Sequence, residues 1–334
     1  MSSTPSDSLP QRTVNWTWRI ISTVIALVLI AFMLSLIEWR DFVDVLARLS
    51  PMSMAIAFMV YVLLNGFRAL RFIALLNHGN LSLWRVFAIA LYHNFLVRLL
   101  PFKLGEVAYI VLMRNRMGVR VEEGVSSLFG SRLLELLMIV LMGAISVLLA
   151  SDLFPEGRGW ALLLVVLCLI GGVLGFYYIG AILRGLTRGL VRWSDHMWLA
   201  RLLDKTNQLA IEFERVRQPS IFLRALFWSC FTYSSSFAVN AILLYAIGLQ
   251  LDAVTLVILV SLGMFATAFP FNISGFGAVE LSWTFGLTLL VGMTPSEAAS
   301  IGLMLNGFQL LSAALAGGIG YVGLQIADIK KATL

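Results

Sequence analysis

Apolar runs long enough to cross a bilayer recur along this chain, and two of them are broken in the middle by proline, glycine and charge. About 20 predominantly apolar residues span a hydrocarbon core of about 30 Å as a helix. Full-length spans are read at 18–37, 52–76, 124–150, 160–183, 220–248 and 296–325. The apolar regions 83–113 and 253–291 differ. The first is interrupted by Pro101-Phe102-Lys103-Leu104-Gly105-Glu106, the second by Pro270-Phe271-Asn272-Ile273-Ser274-Gly275-Phe276-Gly277 ahead of Glu280. Proline removes a backbone donor and disrupts a helix, and glycine permits the tight turn that follows. Non-helical backbone at membrane depth persists only where protein or a water-filled cavity satisfies it. Both regions are therefore read as re-entrant hairpins of two half-helices, turning at Pro101, Gly105, Pro270, Gly275 and Gly277. The expected fold is an all-α polytopic membrane protein with about six full transmembrane helices plus two re-entrant helical hairpins. Eight full spans is the alternative.

Composition excludes a soluble globular chain. Sixty per cent of residues are hydrophobic and 13% charged, against about 45–50% and about 25% in soluble domains. The net charge of +6 does not point to nucleic acid, because the basic residues flank apolar spans, where they set orientation. Arg12 and Arg19, then Arg68, Arg71 and Arg85, then Arg114, Arg116 and Arg120 fall on one side when both hairpins are re-entrant. So do the basic residues of 184–218 and the terminal Lys330 and Lys331. The loops 151–159, 249–252 and 292–295 are poor in Lys and Arg, and the exception is the loop 38–51, where Arg40 and Arg48, beside Glu38, Asp41 and Asp44, lie opposite. Both termini are thus expected in the cytoplasm. Eight full spans also put both termini inside, so the broken hairpin cores carry more of this reading than charge does. Residues 1–14 lack the features of a cleaved signal peptide, so the first span is expected to remain as an anchor. Cys168 and Cys230 both lie in apolar spans and have no metal spacing.

The organisation expected is a cytoplasmic tail over 1–17, a first membrane repeat over 18–150, a second over 151–325 and a cytoplasmic tail over 326–334. The repeat rests on an offset of 174: Glu106, Gly118, Glu123, Ser126, Arg132 and Glu135 align with Glu280, Gly292, Glu297, Ser300, Asn306 and Gln309. The pairs 101–102 and 270–271 match after a five-residue gap. Three crossings per unit make the second copy inverted, a plan in which transporters bind substrate near the midplane at discontinuous helices. The second repeat contains a basic loop, 184–218, in which Leu186, Leu190, Trp193, Met197, Trp198, Leu202 and Leu203 are interspersed. It reads as an interfacial amphipathic helix on anionic lipid or as a plain orienting connector.

A charge at the centre of a span costs about 2.5–3.5 kcal/mol on insertion scales, so each one calls for an account. Glu135 lies roughly 15 Å into its span and Arg132 one turn before it. They line a polar cavity, or they form a self-neutralising pair that locks helices together. Glu106 and Glu280 follow the two breaks, where a carboxylate caps half-helix N-termini, or binds a proton or cationic headgroup. Lys103 has no basic counterpart in the second copy, where Asn272 stands. That asymmetry would make the first hairpin the phosphate-facing one. Arg68 and Arg98 join this cationic set, since arginine suits bidentate phosphate binding. Arg71 reads equally as an anchor snorkelling to the interface, and His93, beside Asn94, reads as a packing residue. Ala313, Gly317 and Gly320 permit close helix packing, against another span or another protomer. No metal spacing, Walker loop or Rossmann fingerprint occurs, so neither enzyme chemistry nor a cofactor is expected.

Pro101 through Gly105-Glu106, then Arg114 and Gly118, resembles the first signature of the lysylphosphatidylglycerol synthase transmembrane-region family, also described as flippase-like. Ser274-Gly275-Phe276-Gly277-Ala278-Val279-Glu280, then Gly292 and Glu297-Ala298-Ala299, resembles its second. The resemblance covers roughly 18–325. It implies a bacterial or archaeal cytoplasmic membrane and lipid translocation. The family's best-known members fuse this domain to a soluble aminoacyltransferase, and other members are linked to hopanoid or lipid-linked sugar pathways. No synthetase segment is expected in this chain, so lysylphosphatidylglycerol itself does not follow as the substrate. The expected partners are membrane lipids, either anionic or aminoacylated phospholipid or lipid-linked sugar, with a homo-oligomer possible and no nucleic acid. The expected binding set is Arg68, Arg98, Lys103, Glu106, Arg132, Glu135 and Glu280, with Asn306 and Gln309 on the matching face of the second repeat. A membrane-embedded transferase acting on a lipid carrier and an ion-coupled solute transporter are the competing readings.

Overall fold

The computed structural model describes residues 37–76, 81–100, 104–149, 158–191, 197–268 and 277–332. Within them the chain forms eleven α-helices and no strand. These are α1 (Trp39–Ala47), α2 (Pro51–Leu76), α3 (Leu83–Leu99), α4 (Leu104–Met117), α5 (Val121–Leu149) and α6 (Arg158–Val191). They continue as α7 (Met197–Val216), α8 (Pro219–Ala246), α9 (Ala253–Ala268), α10 (Ala278–Val291) and α11 (Pro295–Ala332). Proline opens α2, α8 and α11, where its missing N–H would have no intrahelical partner anyway. Gly118 closes α4 and Gly292 closes α10 at φ 69° and 75°. That left-handed conformation suits glycine and ends a helix sharply.

Among the described residues, three stretches are long and apolar enough to cross a membrane: Pro51–Leu76, Val121–Ser146 and Pro295–Ile329. The shorter apolar helices include Ala253–Ala266 and Ala278–Val291. Helices in both halves turn large apolar side chains outward, among them Leu63, Phe227, Phe231, Phe285, Leu289, Leu315 and Ile319. So much exposed apolar surface belongs against lipid rather than water. The chain is an all-α, multi-span membrane protein. The expected span 18–37 lies outside the described residues, as do the turn residues Pro101, Pro270 and Gly275 and the cation Lys103.

The two halves pack by exchange. α2 lies along α8, α3 lies along α11, and α9 lies along α5. Within each half, α4 packs on α3 and α5, and α10 packs on α9 and α11. Exchanging the halves thus carries most of these contacts onto one another. Several positions 174 apart also hold matching environments. Gly118 and Gly292 take the same backbone conformation, and Ser126 and Ser300 are both buried. One buried cluster joins Ala57, Tyr61, Leu91 and Ile139 to Leu243, Leu259, Trp283, Leu287 and Leu305.

One sequence question resolves in this packing, while the side chains of Leu186, Leu190, Trp193, Met197, Trp198, Leu202 and Leu203 lie outside what the structure describes. A Cβ on Gly320 would meet the Ala88 carbonyl oxygen at 2.6 Å, and one on Gly317 would meet Phe95 Cβ at 2.4 Å. The small-residue stripe of α11 therefore serves another helix of the same chain, α3. In the basic segment 184–218, α6 runs on to Val191, eight residues past its expected end at 183, and α7 forms after it. The stripe Thr206, Ala210, Phe213 and Val216 is buried, and α7 packs on α5 and α6. The described apolar face of α7 thus covers protein.

Candidate functional site

The break between α3 and α4 is tight. A Cβ on Gly105 would lie 2.3 Å from the Val97 backbone nitrogen, so only glycine lets the start of α4 cross α3 this closely. His93 Nδ1 sits 3.0 Å from the Gly105 carbonyl oxygen, and Tyr109 packs between His93 and Phe72. His93 is thus a buried packing residue that ties the two arms together.

Glu106, in the first turn of α4, accepts from Arg132 Nη2 at 3.1 Å. Arg132 also donates to Glu135, one turn along α5. Glu135 Oε1 accepts from Arg71 Nη2 at 2.7 Å, and Tyr233 from α8 donates its hydroxyl to the Glu135 carbonyl at 3.2 Å. The expected Arg132–Glu135 pair is therefore half of a four-charge chain, Arg71–Glu135–Arg132–Glu106, spanning α2, α5 and α4. Arg71 does not snorkel: its side chain is 0% exposed. The sequence placed it near a helix end, but the glutamate that draws it inward comes from another helix. Distance along one span does not reveal that.

Arg68, one turn before Arg71, donates to Asn94 Oδ1 at 2.7 Å and to Asn65 Oδ1 at 3.4 Å. Asn94 in turn donates to the Tyr61 hydroxyl at 2.5 Å. Arg98, one turn further along α3 from Asn94, crosses to the second half. It donates to Gln309 Oε1 at 2.7 Å and to Asn306 Oδ1 at 3.5 Å. Asn306 donates to Glu280 Oε1 at 2.6 Å, and Gln309 donates to Asn240 Oδ1 at 3.3 Å. Glu280 Oε2 accepts from the Gly277 backbone N–H at 2.7 Å, at the point where Gly277 turns with φ 115° into α10.

Every expected site residue that lies within the described segments joins one of these connected groups. Glu106 with Arg132 and Glu280 with Asn306 are contacts at positions 174 apart in the sequence. Tyr61, Asn65, Asn94, Tyr233 and Asn240 complete the groups. Polarity inside an apolar run could have flagged each, yet their partners come from other helices. Lys103, Pro101, Pro270 and Gly275 lie outside the described residues.

Four arginines face three glutamates here, so the cations are in excess. Arg68 Nε, Arg71 Nε and Nη1, and Arg132 Nε are buried with no hydrogen-bond partner. Buried donors without acceptors are costly and call for explanation. The Arg132 side chain is 38% exposed against 0% for Arg71, so Arg132 is the most accessible member of the chain. Among the described residues no group of three or more His, Cys, Asp or Glu is placed to hold a metal.

The architecture and this network define a class: a multi-span helical membrane protein with a charged, under-satisfied polar network inside its bundle. The chain belongs to the lysylphosphatidylglycerol synthase TM region family, which matches residues 19–317. No curated protein and no solved structure matches it.

Proposed function

We propose that this protein is a lipid flippase of the cytoplasmic membrane. It moves an anionic phospholipid, aminoacylated phospholipid or lipid-linked headgroup between leaflets through a polar path among its helices. The observation that carries the reading is the excess of buried arginine N–H donors at the broken first hairpin. A phosphate brings the acceptor oxygens and negative charge that these donors lack. Arg132, the most accessible member, meets the headgroup first. Arg68, Arg98, Glu106 and Glu135 line the path with it, and Lys103 adds charge at the turn. Acyl chains stay in lipid, so the headgroup alone avoids hydrocarbon. Family membership supports lipid transport over solute transport.

The two hairpins are re-entrant and the halves form an inverted repeat, giving about six full spans with both termini in the cytoplasm. The exchanged packing of α3 on α11 and α9 on α5 supports this reading. Rocking of one half against the other then exposes the path to each leaflet in turn.

The test is purified protein in liposomes of phosphatidylglycerol and phosphatidylethanolamine carrying a trace of fluorescent phosphatidylglycerol. Dithionite then quenches whatever label reaches the outer leaflet. Wild type should raise the exchange rate well above protein-free liposomes. Arg132→Gln should lose most of that gain, while Arg114→Gln, an exposed change outside the network, should keep it. Parallel assays of headgroup modification and solute uptake separate the competing classes. Activity in either one, without lipid exchange, refutes the flippase reading.

A further inference from the structure

The three carboxylates of this network are not held alike. Glu106 and Glu135 each touch an arginine directly. Glu280 is 0% exposed and touches none. Its hydrogen bonds come from two neutral donors, the Gly277 N–H and the Asn306 amide. The surrounding elements supply no direct counter-charge. α9 has no titratable residue, α10 has none besides Glu280, and the segment 269–276 has none. On α11 the groups facing Glu280 and its partners are the amides Asn306 and Gln309. The other charges of α11 lie far along it: Glu297 sits nine residues before Asn306, roughly 13 Å away, and Asp328, Lys330 and Lys331 lie beyond Gln309 toward the other end. Among the described residues, the charged group linked to it is Arg98 from α3, which reaches Glu280 through Asn306.

A second observation concerns the surroundings of this carboxylate. Thr284 and Thr288 follow Glu280 at steps of four up one side of α10, toward the turn at 292–294. The hydroxyls of Thr288 and of Ser300 on α11 are buried with no hydrogen-bond partner. Unsatisfied hydroxyls inside a bundle are where ordered water is found. They are polar groups left unpaired on the two helices that carry Glu280 and Asn306. On the other side, Asn306, Arg98 and Gln309 link the same carboxylate to the first hairpin and to Asn240 on α8.

We propose that Glu280 is a proton-binding site and that the proton it exchanges is the coupling ion of transport. The geometry gives the consequence of binding. Ionised Glu280 accepts from both Gly277 N–H and Asn306 Nδ2. Once protonated, one of its oxygens becomes a donor and can no longer accept there. If that oxygen faces Asn306, the amide must turn to offer its own oxygen, which then leaves Arg98. If it faces Gly277, the start of α10 loses its cap. In the first case proton binding alters the Arg98–Asn306 contact between the halves; in the second it loosens the start of α10. Asp and Glu within membrane helices mark proton relays for this reason.

The inference deepens the flippase reading by naming the coupling ion, but the site itself can be tested without transport. Purified protein in bilayers is examined by infrared difference spectroscopy from about pH 5 to about pH 9, a range that brackets documented buried glutamates. A carboxylic-acid C=O band should appear as pH falls and should vanish in Glu280→Gln. Glu280→Asp keeps an acid and should move the band, which covers the case of a poorly folded Gln variant. No titrating band in this range, or a band unchanged in both variants, overturns the site. Coupling is read in the fluorescent-phosphatidylglycerol liposomes under a pH gradient of about one unit, worth a factor of about ten in accumulation per proton. Wild type should respond, Glu280→Gln should lose the response, and in Glu280→Asp the response should shift with pH as the infrared band does. Equal responses overturn the coupling. Absence of lipid exchange by wild type defeats the flippase reading, and the infrared result still decides the proton site.

Discussion

Glu135 is bonded on one side to the fully buried Arg71 and on the other to the accessible Arg132. Replacing Glu135 by Leu leaves Arg71, whose Nε and Nη1 already lack partners, with no acceptor at all. Removing one partner of a buried pair costs about 3–5 kcal/mol. The double variant Arg71→Leu/Glu135→Leu removes both desolvated charges, and apolar replacement of a buried pair is often close to neutral. Arg132 then keeps Glu106. Most of the loss should therefore return, with a coupling energy of about 3 kcal/mol in the double-mutant cycle. Arg132→Leu should behave differently. Its side chain is 38% exposed and that of Glu106 is 20% exposed. Losing this pair should cost about 1 kcal/mol or less, in the manner of solvent-accessible ion pairs. Glu135 keeps Arg71 in that variant, so translocation should fail while the fold survives. By contrast, Arg132→Leu/Glu135→Leu strands Arg71 and cannot separate structure from function. The assay is equilibrium unfolding in mixed micelles for stability, beside dithionite accessibility in liposomes for transport. Arg71→Leu/Glu135→Leu remaining as unstable as Glu135→Leu would refute the reasoning, as would Arg132→Leu unfolding as readily as Glu135→Leu.

Cysteines introduced at Ser82 and Arg116 should label from the cytoplasm and those at Asp252 and Thr294 from outside; labelling of the first two from opposite faces rules out a re-entrant first hairpin. Gly320→Ala pushes a methyl against the Ala88 carbonyl at 2.6 Å. Overpacking of that kind costs about 1–3 kcal/mol, and unfolding in micelles should record the drop, whereas Gly318→Ala meets nothing and should not. Asp252 caps α9, accepting from Thr255 Oγ1 at 2.6 Å and from the Thr255 and Val254 N–H groups at 3.0 Å. These bonds hold its carboxyl below the usual aspartate range. The cap is thus present above the ordinary aspartate pKa and is lost as pH falls through the lowered value. Amide exchange at the first turn of α9 should accelerate there, and in Asp252→Asn the acid-dependent part should be missing.

The helical class and the positions of the described spans were legible because the bilayer imposes length and apolarity on each segment separately. Glu106, Arg132, Glu135 and Glu280 were legible for the converse reason, since a charge in an apolar run stands out. Pairing was not legible. Arg71 looked like an interfacial anchor because its depth was counted along one helix, while its environment is set by Glu135 on another. The i,i+3 spacing of Arg132 and Glu135 suggested a closed pair, and nothing local revealed that Arg71 and Glu106 extend it at both ends. The stripe Ala313, Gly317 and Gly320 announced a close neighbour without naming α3, because a small residue records only that something approaches.

The aligned positions explain why two similar hairpins need not do the same work. In each half the carboxylate after the break meets the residue 26 positions on, Glu106 with Arg132 and Glu280 with Asn306. The backbone keeps this contact in both copies, but the chemistry differs. Arginine opposite Glu106 gives that carboxylate a direct cationic partner. Asparagine opposite Glu280 supplies a hydrogen bond with no charge, so that carboxylate can gain and lose a proton without stranding a buried cation. Gln309 in place of Glu135 completes the difference: it accepts from Arg98, which makes the connection between halves neutral on one side. The exchange Asn306→Arg should therefore convert the second site toward the first. Glu280 would become a permanent ion-pair partner, its infrared band should disappear, and lipid exchange should lose its response to a pH gradient while phosphatidylglycerol still reaches the first site. Retention of the titrating band in a folded Asn306→Arg variant would break the link between the partner's charge and the carboxylate's role.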